Sequence, residues 1–198
     1  MFIELTDILR CPADHEEGVL VLLPDGVRDR QVQGGHLGCM DCGQVFPILE
    51  GVAQFNDAPP PGESSTRLTG EAMAALLGLG GPGGYVAIVG GAASGWQAFA
   101  AAVGGVHVLA VNPPEGLPGG GGVSVVRGGT IPVKSRHLRG VVLGSEFASD
   151  ARWRSEAVRC LLPGHRVVGE GTTPTAPVLE VLASADGVWV ARAAAAGQ

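Results

Sequence analysis

The stretch "YVAIVGGAASGWQAFAAAVGGVHVLAV" (residues 85–111) decides how the chain is read. It opens on an apolar run, residues 85–89, with no polar alternation. Such a run marks a strand buried on both faces, as in parallel sheets. A Gly-rich turn follows, then the apolar helical segment "SGWQAFAAAV", with Ser94 placed to cap it. A second apolar run, "VHVLAV", closes the unit. Strand, glycine turn, helix and strand together predict a parallel sheet with helices on both faces. In such sheets the turn after the first strand is a nucleotide-binding position.

Working outward, "VSVVRGG" (123–129), "LRGVVLGSE" (138–146) and "HRVVGEG" (165–171) read as further strands. "PVLEVLASADGVWVARA" (177–193) reads as a strand pair with a turn at "SADG". "RLTGEAMAALLGLG" (67–80) has helical spacing. "SDARWRSEAVRCLLPG" (149–164) is amphipathic, with Trp153, Ala157, Cys160 and Leu161 on one stripe and Ser149 or Asp150 as cap. Upstream, the three consecutive prolines of "NDAPPPGESST" (56–66) mark a stiff linker. The expected organisation is therefore a β-rich module over 1–56, a linker over 57–66 and an α/β domain over 67–198.

Composition narrows the function classes. The chain has 198 residues and a net charge of −6, which argues against direct electrostatic binding to nucleic acid. No Asp, Glu, Lys or Arg occurs between Glu71 and Glu115, but glycine clusters break that region, so no membrane span is expected. Glu4 and Asp7 interrupt the opening "MFIELTDILRCP", which reads as no export signal. Four cysteines without such a signal fit a cytoplasmic, reducing setting where metal ligation is favoured over disulfides. Charged residues make up only 16% of the chain, against about 25% in average domains. Either the composition is simply Gly/Ala-rich, or a protein partner or larger assembly covers part of the surface.

The N-terminal module contains "RCPADH" (10–15) and "GCMDCGQVFPILEGV" (38–52). Cys39 and Cys42 form a C-x-x-C knuckle, and Cys11 supplies a third thiol. These three are the candidate ligands of a zinc ion, with the fourth place open to Asp14, His15 or His36. Cys160, on an apolar helical stripe, reads as a core residue.

The combination "ILRCP…C-x-x-C-G-x-x-F-P-I-x-x-G" resembles the small zinc-ribbon activator subunits of tRNA, rRNA and release-factor methyltransferases, a module also found fused to methyltransferases. The family has C-P-x-C where this chain has "CPAD". Residues 66–198 resemble class I S-adenosylmethionine-dependent methyltransferases in the order of their signposts: "VAIVGGAASG", "VLAVNPP", "IPVKSRHLRGVVLGSE" and "EAVRCLLPGHRVV". The resemblance implies a reduced Rossmann-like doubly wound sheet ending in an antiparallel strand. It also implies a cofactor site at Gly90, Gly91, Gly95 and Asn112.

The family places carboxylates on the cofactor at positions that hold Ile88, Asn112, about Arg127, and Arg139 or Gly140 in this chain, none of them acidic. Each hydrogen bond to a charged group is worth about 1.5–3 kcal/mol, so their loss argues against S-adenosylmethionine binding. The basic group Arg127, Lys134, Arg136, His137 and Arg139 reads as a solvated rim. No catalytic constellation stands out. The sequence thus points to a non-catalytic methyltransferase-like scaffold or accessory subunit, with "QVFPILEGVAQF" able to add to a partner's sheet edge and Trp96, Trp153 and Trp189 as candidate anchors. A divergent methyltransferase is the alternative.

Overall fold

Among the described residues, eleven strands form one mixed sheet that runs through both halves of the sequence. The computed structural model describes residues 1–60, 65–175 and 177–194; part of the expected linker, residues 61–64, lies outside them. In chain order the strands are β1 (Leu20–Arg28), β2 (Gln31–Cys39), β3 (Val45–Leu49), β4 (Val52–Gln54), β5 (Tyr85–Val89), β6 (His107–Val111), β7 (Val123–Arg127), β8 (Leu138–Leu143), β9 (Leu161–Glu170), β10 (Leu179–Ala185) and β11 (Val188–Ala193). Their spatial order is β1-β2-β3-β4-β7-β6-β5-β8-β9-β11-β10.

The centre is parallel, from β4 to β9. Both ends are antiparallel. The centre holds the continuous apolar runs: Val86, Ala87, Ile88 and Val89 of β5 and Val108, Leu109, Ala110 and Val111 of β6 are all buried. Alternate residues of these strands feed two cores on opposite faces of the sheet. The junction of the two sequence segments is β4, which pairs in parallel with β7 through Val52↔Val125 and Ala53↔Val126. The stretch expected to extend a partner's sheet extends the chain's own.

These findings correct the expected fold class. Helix makes up 22% and strand 39% of the described residues, a β-rich mixed sheet and not a clear doubly wound α/β Rossmann arrangement. The helical layers are thin for identifiable reasons. The helices are α1 (Gly70–Leu77), α2 (Trp96–Val103), α3 (Ser145–Ala148) and α4 (Ala151–Cys160). α1 is capped by the Thr69 hydroxyl, which accepts from the Ala72 N–H, and is stopped by Gly78 in a left-handed conformation. Ser94 does not cap α2; it lies in a 3₁₀ turn over Gly90–Gly95 that delays the helix to Trp96. The β6–β7 connection carries no helix, as its Gly119–Gly122 run disfavours one. Among the described residues no helix is long and apolar enough to cross a membrane.

The two ends of the sheet are clad differently. On β1–β3, inward Leu20, Leu37, Phe46 and Ile48 are buried against the core that also holds Leu5 and Leu9. The outward residues Val21, Leu23, Val45 and Leu49 are exposed. Registers Val21↔Gly38, Gly38↔Val45, Leu23↔His36 and His36↔Pro47 place them on one face. Trp189 and Trp153, expected as surface anchors, are buried instead, and Trp96 is half-buried.

Candidate metal centre and the glycine turn

The metal candidates converge at one end of the sheet. Cys39 ends β2, and the Gly43 N–H donates to its carbonyl (3.0 Å), folding the C-x-x-C into a tight turn. Gly43 has φ +71°, a left-handed conformation that glycine adopts without strain. Cys11 enters from the loop behind the N-terminal 3₁₀ turn (Ile3–Asp7), fixed by the Arg10 N–H donating to the Pro132 carbonyl (3.0 Å).

The side chain that joins the three cysteines is His15, while Asp14 stays outside the cluster. Ligand atoms of Cys11, His15, Cys39 and Cys42 all lie within 4.8 Å of one another, a cluster that could hold a metal ion. The His15 N–H donates to the Ala13 carbonyl (3.0 Å), a tight turn that carries the chain past Asp14. Neither Asp14 nor His36 belongs to the cluster. His36 stands on the opposite face of β2 from Leu37 and Cys39, across from Leu23.

The distances fit a tetrahedron. With metal–sulfur bonds of about 2.3 Å and metal–nitrogen bonds of about 2.05 Å, its edges are about 3.8 Å between two sulfurs and about 3.6 Å between sulfur and nitrogen. Cys11 Sγ and Cys42 Sγ are 3.7 Å apart, and Cys39 Sγ lies 3.5 Å from His15 Nε2. The other imidazole nitrogen, Nδ1, is 2.6 Å from the Glu16 carbonyl, which orients the ring and fixes Nε2 as the ligand atom. Three thiolates and one imidazole complete four-coordination with no open position, so the ion would be structural. It would tie the loop of residues 11–15 to the β2–β3 turn.

The electrostatics of the metal-free site divide the ligands, and of the shifted groups only Cys42 is moved toward its ligating form. The backbone hydrogen bond at Gln44 is the chief cause holding the Cys42 thiol down at about 7. The Glu16 carbonyl raises His15 to about 9. Burial pushes the Cys11 thiol up to about 12. Without metal, the site therefore favours a Cys42 thiolate beside a protonated His15. Cys160 stands apart: buried, its Sγ 3.6 Å from the Val133 carbonyl, its thiol pushed up to about 12 by burial. All four cysteines are free thiols.

The residues expected to hold a cofactor are placed differently. Gly90 and Gly91 directly follow β5, as the sequence order requires. A Cβ on Gly90 would stand 2.6 Å from the Phe147 ring, so that ring fills the space over the turn. The Gly91 N–H donates to Glu146 Oε1 (3.3 Å). Gly95 faces α1, where a Cβ would meet Met73 Cε at 2.8 Å. Asn112 is fully buried: its Nδ2 donates to the Gly128 carbonyl (2.8 Å) and its Oδ1 accepts from the Gly128 N–H (2.9 Å). Its amide staples the ends of β6 and β7. One cavity beside the turn is lined by Glu146, Phe147 and Trp153, another by Ser145 and Glu170, and neither is lined by Gly90, Gly91, Gly95 or Asn112.

The basic group is dispersed into structural contacts. The Arg139 guanidinium donates to the carbonyls of Gly80, Gly81, Pro82 and Gly83. Lys134 Nζ donates to the Asp7 carbonyl (2.8 Å). Sequence reading missed Glu17, whose carboxylate accepts from the Ser135 N–H (2.9 Å) and pairs with Arg159 (3.0 Å) and Arg10 (3.2 Å). This clamp fastens the knuckle loop to the β7–β8 connection. No protein-family model and no curated protein matches the chain.

Proposed function

We propose that the chain is a non-catalytic accessory or scaffold protein, akin in its knuckle to methyltransferase activator subunits and in residues 66–198 to class I methyltransferases, that works by docking a protein partner. The observation that carries this reading is that the glycine turn is closed by the chain's own groups. Phe147 covers Gly90, Glu146 takes the Gly91 N–H, and the buried Asn112 amide donates to and accepts from Gly128. A sulfonium cofactor depends on carboxylates aimed at its charged and hydroxyl groups, and the turn offers it neither the room nor, at Asn112, a free acceptor.

The bare face of β1–β3 supports the partner half of the proposal. Val21, Leu23, Val45 and Leu49 are 39%, 61%, 59% and 58% exposed on a single face. Exposed apolar residues gathered on one face are a feature of interaction surfaces. Because β4 already pairs with β7, the partner is placed on this face and not on that strand.

Zn²⁺ is the metal proposed for the knuckle, since a Cys₃His tetrahedron suits it. Four free thiols favour a cytoplasmic setting. The test is calorimetric titration of the metal-loaded protein with S-adenosylmethionine and S-adenosylhomocysteine. No binding heat at millimolar ligand is expected. Micromolar binding of either would overturn the reading in favour of a divergent methyltransferase.

A further inference from the structure

At the end of β9, Glu170 is 4% exposed. Its Oε1 accepts from the Thr66 hydroxyl (2.6 Å), the Arg67 N–H (2.6 Å) and the Leu68 N–H (2.9 Å). Its other oxygen, Oε2, makes no hydrogen bond among the described residues. No Lys, Arg or His nitrogen of the described residues comes within ion-pair distance of it. Buried carboxylates are ordinarily paired with a cation, because desolvation of an uncompensated charge is costly. Three donors on one oxygen anchor the chain entering α1, but they leave the charge without a counter-ion.

Glu170 lines a cavity of about 650 Å³ together with Thr66, Arg67, Ser145, Thr172 and Gly187. Besides the charged Glu170 and Arg67, the lining residues are serine, threonine and glycine, with no aromatic or large aliphatic side chain. The Arg67 guanidinium lies against Gly187, its Nη1 3.2 Å from where a Cβ would stand, so a cation borders the same space. The volume falls in the range of small-molecule sites.

We propose that this cavity binds a small zwitterion of the free amino-acid type, its ammonium group on Glu170 Oε2 and its carboxylate on Arg67. The ammonium supplies the missing counter-charge. The carboxylate meets the one cationic side chain of the wall, and the hydroxyls of Ser145 and Thr172 suit a polar body. The inference does not depend on the accessory-protein reading: a scaffold and an enzyme could each carry such a site, and cofactor titration leaves it untouched.

The test is amide-resonance titration of the full chain with each standard α-amino acid in turn, to millimolar concentration. Saturable shifts at Arg67, Gly171 and Gly187 with at least one of them are expected. For that ligand, Glu170→Gln, which keeps an acceptor for the three donors, weakens binding on the order of ten-fold or more. Thr172→Trp, which fills the cavity and leaves the Glu170 bonds alone, abolishes it with the melting temperature unchanged. The N-acetylated and the methyl-ester forms of the ligand each bind more weakly than the free zwitterion. No saturable shift with any amino acid, unchanged binding in Glu170→Gln, or equal binding of the acetylated form overturns the proposal.

Discussion

The metal knuckle and the glycine turn stand at positions where sequence order predicts chemistry, and they use their polar groups in opposite ways. At the knuckle, Cys11, His15, Cys39 and Cys42 bring four ligand atoms within 4.8 Å of one another, and two of the separations match tetrahedral edges. At the turn, every candidate is consumed by its neighbours: Gly90 by Phe147, Gly95 by α1, Asn112 by Gly128. Convergence is costly for a protein without a ligand, since it holds polar atoms close together unpaired. Mutual satisfaction is what a stretch settles into when no ligand is to be met. Of these two regions, it is the knuckle that is arranged to hold a ligand.

The largest effect that could break the comparison comes from the metal. Structural Zn²⁺ in small modules binds with about 10–16 kcal/mol at neutral pH. Cys39→Ser is therefore expected to abolish metal binding, seen by elemental analysis as a fall from one ion per chain to none, and to lower the melting temperature steeply. A variant that keeps a full metal complement would remove the knuckle's side of the contrast.

Phe147→Ala comes next. The ring is 6% exposed and packs edge-on against Trp153 with centroids 4.6 Å apart. Its removal is expected to cost about 3–4 kcal/mol in chemical denaturation and, despite opening space over Gly90, to create no S-adenosylmethionine binding. A variant that gained micromolar affinity would show that the side chain alone blocks an otherwise competent site.

A smaller effect separates the two regions by pH. Burial, followed by the positive charge of the amino terminus, holds His107 down at about 4. Its Nε2 lies 2.9 Å from the Ser124 hydroxyl, which accepts from the Phe2 N–H and so has its own proton to give to an unprotonated ring. The folded value lies below the ordinary 6.5, so the unfolded chain binds the proton first. The contribution of His107 is full above pH 6.5 and is lost as pH falls towards about 4. Denaturation midpoints of the wild type should decline across that window more than those of His107→Gln. Equal slopes would contradict the burial argument.

The smallest stability effect belongs to the bare face. Leu23→Glu and Leu49→Glu should each change stability by no more than about 0.5 kcal/mol, as exposed substitutions do, while a partner recovered with the wild type is lost. Retained partner binding would move the docking surface elsewhere on the molecule.

The sequence makes some of this legible and hides the rest for physical reasons. The apolar runs at 85–89 and 107–111 are visible because strands buried on both faces cannot alternate. The three thiols are visible because cysteine is rare and the C-x-x-C spacing is tight. His15 is not, because the resemblance to the C-P-x-C pattern points to Asp14, and only the turn closed between His15 and Ala13 chooses between adjacent residues. The continuity of the sheet is hidden too. β4 is three residues long, and its partner β7 lies about seventy residues away, a pairing that no local pattern encodes. The α/β expectation fails where glycine runs replace a helix between β6 and β7, and where α3 is four residues long.

X-ray absorption at the zinc edge of the purified protein tests the knuckle most directly. Three sulfurs at about 2.3 Å and one imidazole nitrogen at about 2.0 Å are the expected ligands. A carboxylate oxygen in place of the nitrogen, or an ion bound with fewer than three sulfurs, would contradict the assignment of His15 and the closed centre built on it.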